Sequence, residues 1–220
     1  MLLALDTASP QVTVALLDDA GTVVAERRSD ELMKHAEQLA PLIAAVLTEA
    51  GAAQIDVTAV AVGVGPGPFT GLRVGLATAR TLAMVLEIPV YGVCSLDALA
   101  LEAVAAGTVQ GPFLVATDAR RKEVYWAAYD EQGQRTSEPA VDRPADVASD
   151  LPVVGEGGRL YPDAFVRGVE PLRPSAGWLG RAVVTEQAEL LDPEPLYLRR
   201  PDAVRPAPPK PVSPGKGSPA

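Results

Sequence analysis

His35 is the only histidine in the chain and stands in K-H-A-E-Q-L-A-P-L-I, a segment of helical pattern. Two imidazoles one helical turn apart can chelate a divalent cation, but four residues beyond His35 stands Leu39. A lone imidazole followed by leucine cannot chelate, so we expect His35 to be a polar residue at the rim of a helix and expect no metal site on this chain. Asp6 closes an apolar run, L-A-L-D-T-A, with the hydroxyl of Thr7 beside it; Asp118 closes a second apolar run and is followed by Ala119, which supplies none. Carboxylates at strand ends suit hard cations and the phosphates they carry, and they also cap turns. Cys94 is the only cysteine. In an apolar stretch it is expected to be a small core residue, which leaves no disulfide framework and fits a reducing cytoplasm.

The segment Gly63 to Gly75, G-V-G-P-G-P-F-T-G-L-R-V-G, joins a β-branched run to a helical pattern. Glycines at 63, 65 and 67 permit φ > 0, while Pro66 and Pro68 fix φ and remove donors, so the loop is stiff and shaped. Glycine loops ahead of helices often hold phosphate. Here the G-K-[ST] of a phosphate loop is missing, since Leu72 and Arg73 follow Gly71. A structural turn and a ligand site both stay open. In the following helix Gly71, Gly75, Ala79 and Ala83 recur every fourth residue and form one smooth stripe. Two helical glycines cost roughly 1 kcal/mol each against alanine, which a close contact would offset. That contact is either the chain's own sheet or a helix of another subunit.

The elements that position these residues come in two related sets. With an offset of 112, the opening segment to Gly21 lines up without gaps on the segment ending at Gly133, pairing Asp6 with Asp118, Val12 with Val124, Asp18 with Asp130 and Gly21 with Gly133. Each copy reads as a β-hairpin. In the first half the pattern predicts a third strand at 22–28. A helix follows from Glu31 to Ala50, with Asp30 as its cap and Gly51 as its stop. Next come a strand at 57–62, the glycine loop, a helix over 70–86, a strand at 90–93 and a helix over 96–106. That order, β-β-β-α-β-α-β-α, resembles the repeating unit of the actin-like, sugar-kinase-like ATPases (a ribonuclease H-like fold). The second half is thinner: a polar stretch over 134–150, a strand at 153–154, a turn at Gly155, Gly157 and Gly158, and a helix over 176–186. We therefore expect an N-terminal lobe at 1–107, a reduced C-terminal lobe at 108–200, and a disordered Pro-rich tail at 201–220.

The chain has 220 residues, a net charge of −9 and 48% hydrophobic residues. An acidic surface repels phosphate backbones and disfavours autonomous nucleic-acid binding. Arg120, Arg121 and Lys122 form the one basic run in the second hairpin turn, either a solvated face or a contact near phosphate. No apolar run approaches the ~20 residues that span a bilayer, and no signal sequence is expected.

Four segments together, L-A-L-D-T-A, K-H-A-E-Q-L-A-P-L-I, G-P-G-P-F-T-G-L-R-V-G, and D-A-R-R-K-E-V-Y with P-L-Y-L-R-R, resemble the TsaB (YeaZ) family of tRNA threonylcarbamoyladenosine biosynthesis proteins from Leu3 to about Arg200. Pro68 departs from the Ser more usual in that family. The resemblance implies a non-catalytic paralogue of TsaD, the subunit that transfers a threonylcarbamoyl group to adenosine beside the anticodon. It implies that the chain binds and activates TsaD, helps recruit the ATPase TsaE, and works in the cytoplasm. It further implies that tRNA is met only through the complex, with no membrane partner, and that the chain dimerises when alone. ATP or ADP and metal would belong to the assembled complex and not to this chain alone. In the family the paralogues join through their first two helices, which places Leu32, His35, Leu39, Thr70, Gly71, Arg73, Gly75, Ala79 and Ala83 at the partner surface. The superfamily places Asp6, Thr7 and Asp118 near a nucleotide. Rival expectations are a small-molecule kinase or ATPase of the same fold, and a metal-dependent peptidase.

Overall fold

Apolar residues at every position of L-L-A-L-D and T-V-A-L-L make strands that need cover on both faces. In a computed structural model, which describes residues 1–199, these are β1 (Leu2–Asp6) and β2 (Thr13–Leu17), and every residue of both is buried. With β3 (Val23–Arg28), β4 (Ala59–Gly65) and β5 (Val90–Cys94) they form a sheet of order β3-β2-β1-β4-β5. β2 runs antiparallel to its neighbours, whereas β4 and β5 run parallel to β1. Side chains alternate across the sheet. Leu3, Leu5, Val14 and Leu16 meet Leu39, Ile43 and Val46 of α1 (His35–Glu49) and Leu72, Leu76 and Ala79 of α2 (Phe69–Leu86). A third helix, α3 (Ser95–Ala105), is buried almost all round and lies between this sheet and a second one.

The second sheet has the order β10-β9-β6-β7-β8, from β6 (Phe113–Asp118), β7 (Val124–Tyr129), β8 (Ala140–Asp142), β9 (Val153–Val154) and β10 (Gly168–Val169). The glycines at 155, 157 and 158 open a short helix, α4 (Glu156–Leu160), in place of a bare turn. A Cβ at Gly155 would lie 2.3 Å from the Ala116 carbonyl, so no other residue fits there. The last helix, α5 (Ala176–Val184), is capped by Ser175, whose hydroxyl accepts from Trp178 N. It crosses to the first sheet, where Leu179 and Ala182 cover Leu2, Ala4 and Leu17. The second half thus lends a helix to the first, and the expected border at 107/108 does not separate the packing layers.

The architecture is the actin-like one, and the first half follows the expected element order. Two details differ. The helix expected from Glu31 starts at His35, because Met33 turns to φ 68° and its N–H is taken by the Pro10 carbonyl. Asp30 is therefore no cap, and Leu32 lies ahead of the helix. The two hairpins also pair differently: Asp6 faces Thr13, but Asp118 faces Val124, one residue off the gapless copy. A tighter turn causes the slip, with Arg120, Arg121 and Lys122 all left-handed at φ 60°, 55° and 61°. Among the described residues α2 is the one helix long and apolar enough to cross a bilayer, at 18 residues and mean hydropathy 1.2. It lies along the sheet instead, with Arg73 and Arg80 on its outer side. The tail expected at 201–220 lies outside the described residues.

Candidate functional site

The strand-end acids are used internally. Asp6 is 1% exposed; Ala8 N–H donates to its Oδ1 at 2.8 Å and the Ser95 hydroxyl to its Oδ2 at 2.5 Å. Burial pushes its carboxyl up from the usual range, with the Ser95 and Ala8 hydrogen bonds opposing. A Cβ at Gly63 would fall 1.9 Å from Asp6 Oδ2, so that glycine exists to admit the carboxylate. Thr7 is fully buried, and its hydroxyl donates to the Gly71 carbonyl at 2.9 Å, fixing the start of α2. Asp118 accepts from Arg120 N–H at 2.8 Å and stays partly open. Between the two strand ends, Ser9, Pro66, Ser95, Thr117, Asp118 and Glu156 enclose only about 10 Å³. That is room for about one water. Asp6 and Thr7, expected near a nucleotide, thus make their hydrogen bonds within the chain, to Ala8, Ser95 and Gly71.

The helix-pair residues divide into two groups. Gly71, Gly75, Ala79 and Ala83 are buried against the chain's own sheet; a Cβ at Gly75 would sit 2.3 Å from Thr7 Oγ1 and one at Gly71 2.5 Å from the Thr7 carbonyl. Leu39 is a core residue. His35 is also inside, not at the rim: its Nε2 lies 2.8 Å from the Ser9 carbonyl. A carbonyl only accepts, so Nε2 carries a proton. All six are buried inside the chain, Gly71 and Gly75 against Thr7, so the exposed faces of the two helices are the opposite ones. Leu32, Thr70 and Arg73 remain on the surface. The outer faces of the same helices carry small and apolar residues: Ala36, Ala40 and Ala44 on α1, and Ala77, Thr81, Met84 and Val85 on α2.

The glycine loop is a structural turn. Gly63 to Gly67 are buried, and a Cβ at Gly67 would strike the Ala8 carbonyl at 2.2 Å. Its far end opens on a cavity of about 330 Å³ lined by Gly67, Pro68, Phe69, Asp118–Arg121, Tyr125 and Tyr197–Arg199. The P-L-Y-L-R-R segment builds one wall. Leu191 exchanges backbone hydrogen bonds with Gly92 on the open edge of β5, and Leu196 N–H donates to the Val64 carbonyl. Tyr197 then stacks on Phe69, with centroids 5.1 Å apart, while Arg73 covers Phe69 at 4.4 Å. Arg199 donates to the Ala119 carbonyl and pairs with Glu123. The opposite wall is the left-handed turn. Holding a non-glycine residue in that conformation costs roughly 1–2 kcal/mol, and here three cationic residues in succession do so. The sequence flagged the basic run and the P-L-Y-L-R-R segment separately; nothing in it showed that the two meet.

A buried polar cluster completes the inventory. The Tyr129 hydroxyl donates to Asp97 Oδ1 at 2.7 Å and Arg135 reaches Asp97 Oδ2 at 3.2 Å and Glu189 at 2.8 Å. Burial pushes the neighbouring Cys94 thiol up to about 12, which makes it inert as a nucleophile. No three His, Cys, Asp or Glu side chains gather as a metal site among the described residues.

Residues 23–160 match the family described as TsaD, tRNA N6-adenosine threonylcarbamoyltransferase. An uncharacterized protein of Mycobacterium tuberculosis is 46% identical over 206 residues, covering 92% of this chain and 93% of that protein. The tRNA threonylcarbamoyladenosine biosynthesis protein TsaB of Escherichia coli K12 is 34% identical over 227 residues, covering 90% of this chain and 94% of TsaB. The chain belongs to the TsaB family. YeaZ from Pseudomonas aeruginosa, a TsaB by the family's other name, superposes with a TM-score of 0.74 at 33% identity, over 90% of this chain and 99% of that one. The TsaB assignment bears out what the four sequence segments implied about kinship.

Proposed function

We propose that this chain is the accessory subunit of threonylcarbamoyladenosine synthesis in tRNA: it binds a TsaD-type transferase and holds that subunit's catalytic cleft in its active arrangement. One observation carries the reading. Beside Glu37, Arg73 and Arg80, the outer face of the α1–α2 pair carries a patch of small and apolar residues, Ala36, Ala40, Ala77, Thr81, Met84 and Val85, with Met84 and Val85 73% and 69% exposed. Inward, the same helices are fixed by Thr7 and His35, so the face is presented rigidly. The internal engagement of Asp6, Thr7 and His35 supports an accessory role over the kinase-like rival, and the single histidine speaks against a two-histidine peptidase site. Recruitment of a TsaE-type ATPase, self-association of the free chain through the same face, residence in the cytoplasm, and nucleotide and metal held by the assembled complex belong to this proposal. Size-exclusion chromatography with light scattering tests it, on the chain alone and mixed with its organism's TsaD. A joint species abolished by Ala77→Glu supports the proposal; two unchanged separate peaks refute it.

A further inference from the structure

We infer that the cavity between the glycine loop, the left-handed turn and the Tyr197 segment takes one nucleotide of a single-stranded RNA loop. The inference rests on the proposed role in tRNA modification only for why RNA is at hand. The volume, about 330 Å³, is at the small end of ligand cavities and suits one base with its ribose. Two features of the lining name the chemistry. Phe69 and Tyr197 form a near-parallel pair, 24° between planes, and both are about 40% exposed. Arg73 already covers Phe69, so a base extends the stack from the Tyr197 side; aromatic stacking is how single strands are gripped without sequence readout. Beside the rings, Arg120 and Arg121 line the cavity from the turn and Arg199 from the facing wall, Arg120 paired with Asp118 and Arg199 with Glu123, contacts that a phosphate would share. Arginine matches phosphate oxygens in a fork geometry. Asp118 lines the same cavity, its oxygens already taking the Arg120 N–H and guanidinium. The composition of the turn is itself informative. Asn or Gly would adopt three left-handed residues with little strain, yet the chain places Arg, Arg and Lys there. On a chain of net charge −9, Arg120, Arg121, Lys122 and Arg199 outnumber the Asp118 and Glu123 they stand beside. The inference departs from the expectation that RNA is met only through other subunits. An acidic peptide would use the arginines but gains nothing from an exposed aromatic stack.

The test is photo-cross-linking of the full chain, at about 50 mM salt, to a uridine-rich 12-nucleotide RNA carrying 4-thiouridine, with mass spectrometry to locate the adduct. The expected adducts fall on Phe69, Tyr125 or Tyr197. Arg120→Asn with Arg121→Asn relieves backbone strain and keeps the fold, and it should cut the yield about tenfold. Removing two phosphate contacts should also lower the salt slope by roughly 1.4. Tyr197→Leu should cut the yield about fivefold or more. Adducts elsewhere, no adduct, or yields unchanged in both variants overturn the inference. So does full competition by equimolar free ATP or by an acidic peptide, which would make the cavity a site for those ligands. Co-elution with TsaD is read in a separate run, so failure of either result leaves the other standing.

Discussion

Gly75→Ala is the perturbation that most sharply separates packing within the chain from packing between chains. The new methyl would lie 2.3 Å from Thr7 Oγ1 and 3.4 Å from Leu5 Cδ1. The first contact is impossible as it stands, so the helix must retreat or the Thr7 hydroxyl must leave the Gly71 carbonyl it bonds at 2.9 Å. Overpacking costs about 2 kcal/mol, and a buried hydroxyl left without its partner about 1–3 kcal/mol. Replacing a mid-helix glycine by alanine returns about 1 kcal/mol. The net is about 2–4 kcal/mol of destabilisation, or a fall in Tm of roughly 5–15 °C for a chain of this size. Urea denaturation of Gly75→Ala, Thr7→Ala and the double variant gives the cycle. With Thr7 reduced to alanine the clash is gone, so Gly75→Ala should then be neutral or slightly stabilising. The expected coupling is about 2–3 kcal/mol. Additive effects, or a stable Gly75→Ala that instead fails to bind TsaD, would refute the inward assignment of the stripe.

On the outer face, Ala77→Glu should leave stability within about 0.5 kcal/mol and weaken association with TsaD at least tenfold, read by light scattering or calorimetry. Glu102, at the mouth of a cleft shared with Arg28 and Glu170, has its carboxyl pushed up to about 7, mainly by burial, with Arg28 opposing. The folded chain thus holds that proton more tightly than the unfolded chain, so stability falls as pH rises from about 4.5 to about 7. Glu102→Gln should remove this fall: equal to the parent near pH 4.5 and more stable at pH 8, by denaturant titration. Cys94 should ignore a thiol reagent in the native state and react fully in denaturant, because it is buried and its thiol is pushed up to about 12. Prompt labelling of the native protein would contradict that burial.

The halves, the hairpins and most strands were legible because apolar runs ending in Asp repeat at a fixed offset. Kinship was legible too, in short segments where few residues satisfy the backbone, such as Gly63 beside Asp6 and Gly67 beside Ala8. What stayed hidden was direction. A stripe of Gly71, Gly75, Ala79 and Ala83 permits close approach by a sheet or by a partner helix equally, and only the position of Thr7 decides. Likewise Asp6 and Asp118 look equivalent in sequence, yet one is sealed by Ser95 and the other borders an open cavity. The left-handed turn was illegible for a physical reason: Arg and Lys carry no preference for φ > 0, so the backbone there is imposed by the hairpin it closes. The crossing of α5 to the first sheet depends on long-range packing that local periodicity does not encode.

The most direct test of the central claim is the threonylcarbamoylation of tRNA by the purified TsaD-type partner, with a TsaE-type ATPase and a supplied threonylcarbamoyl-adenylate, measured with and without this chain. The account predicts modification that requires the chain and is lost with Ala77→Glu, a variant that stays folded. Equal modification in the chain's absence would contradict it.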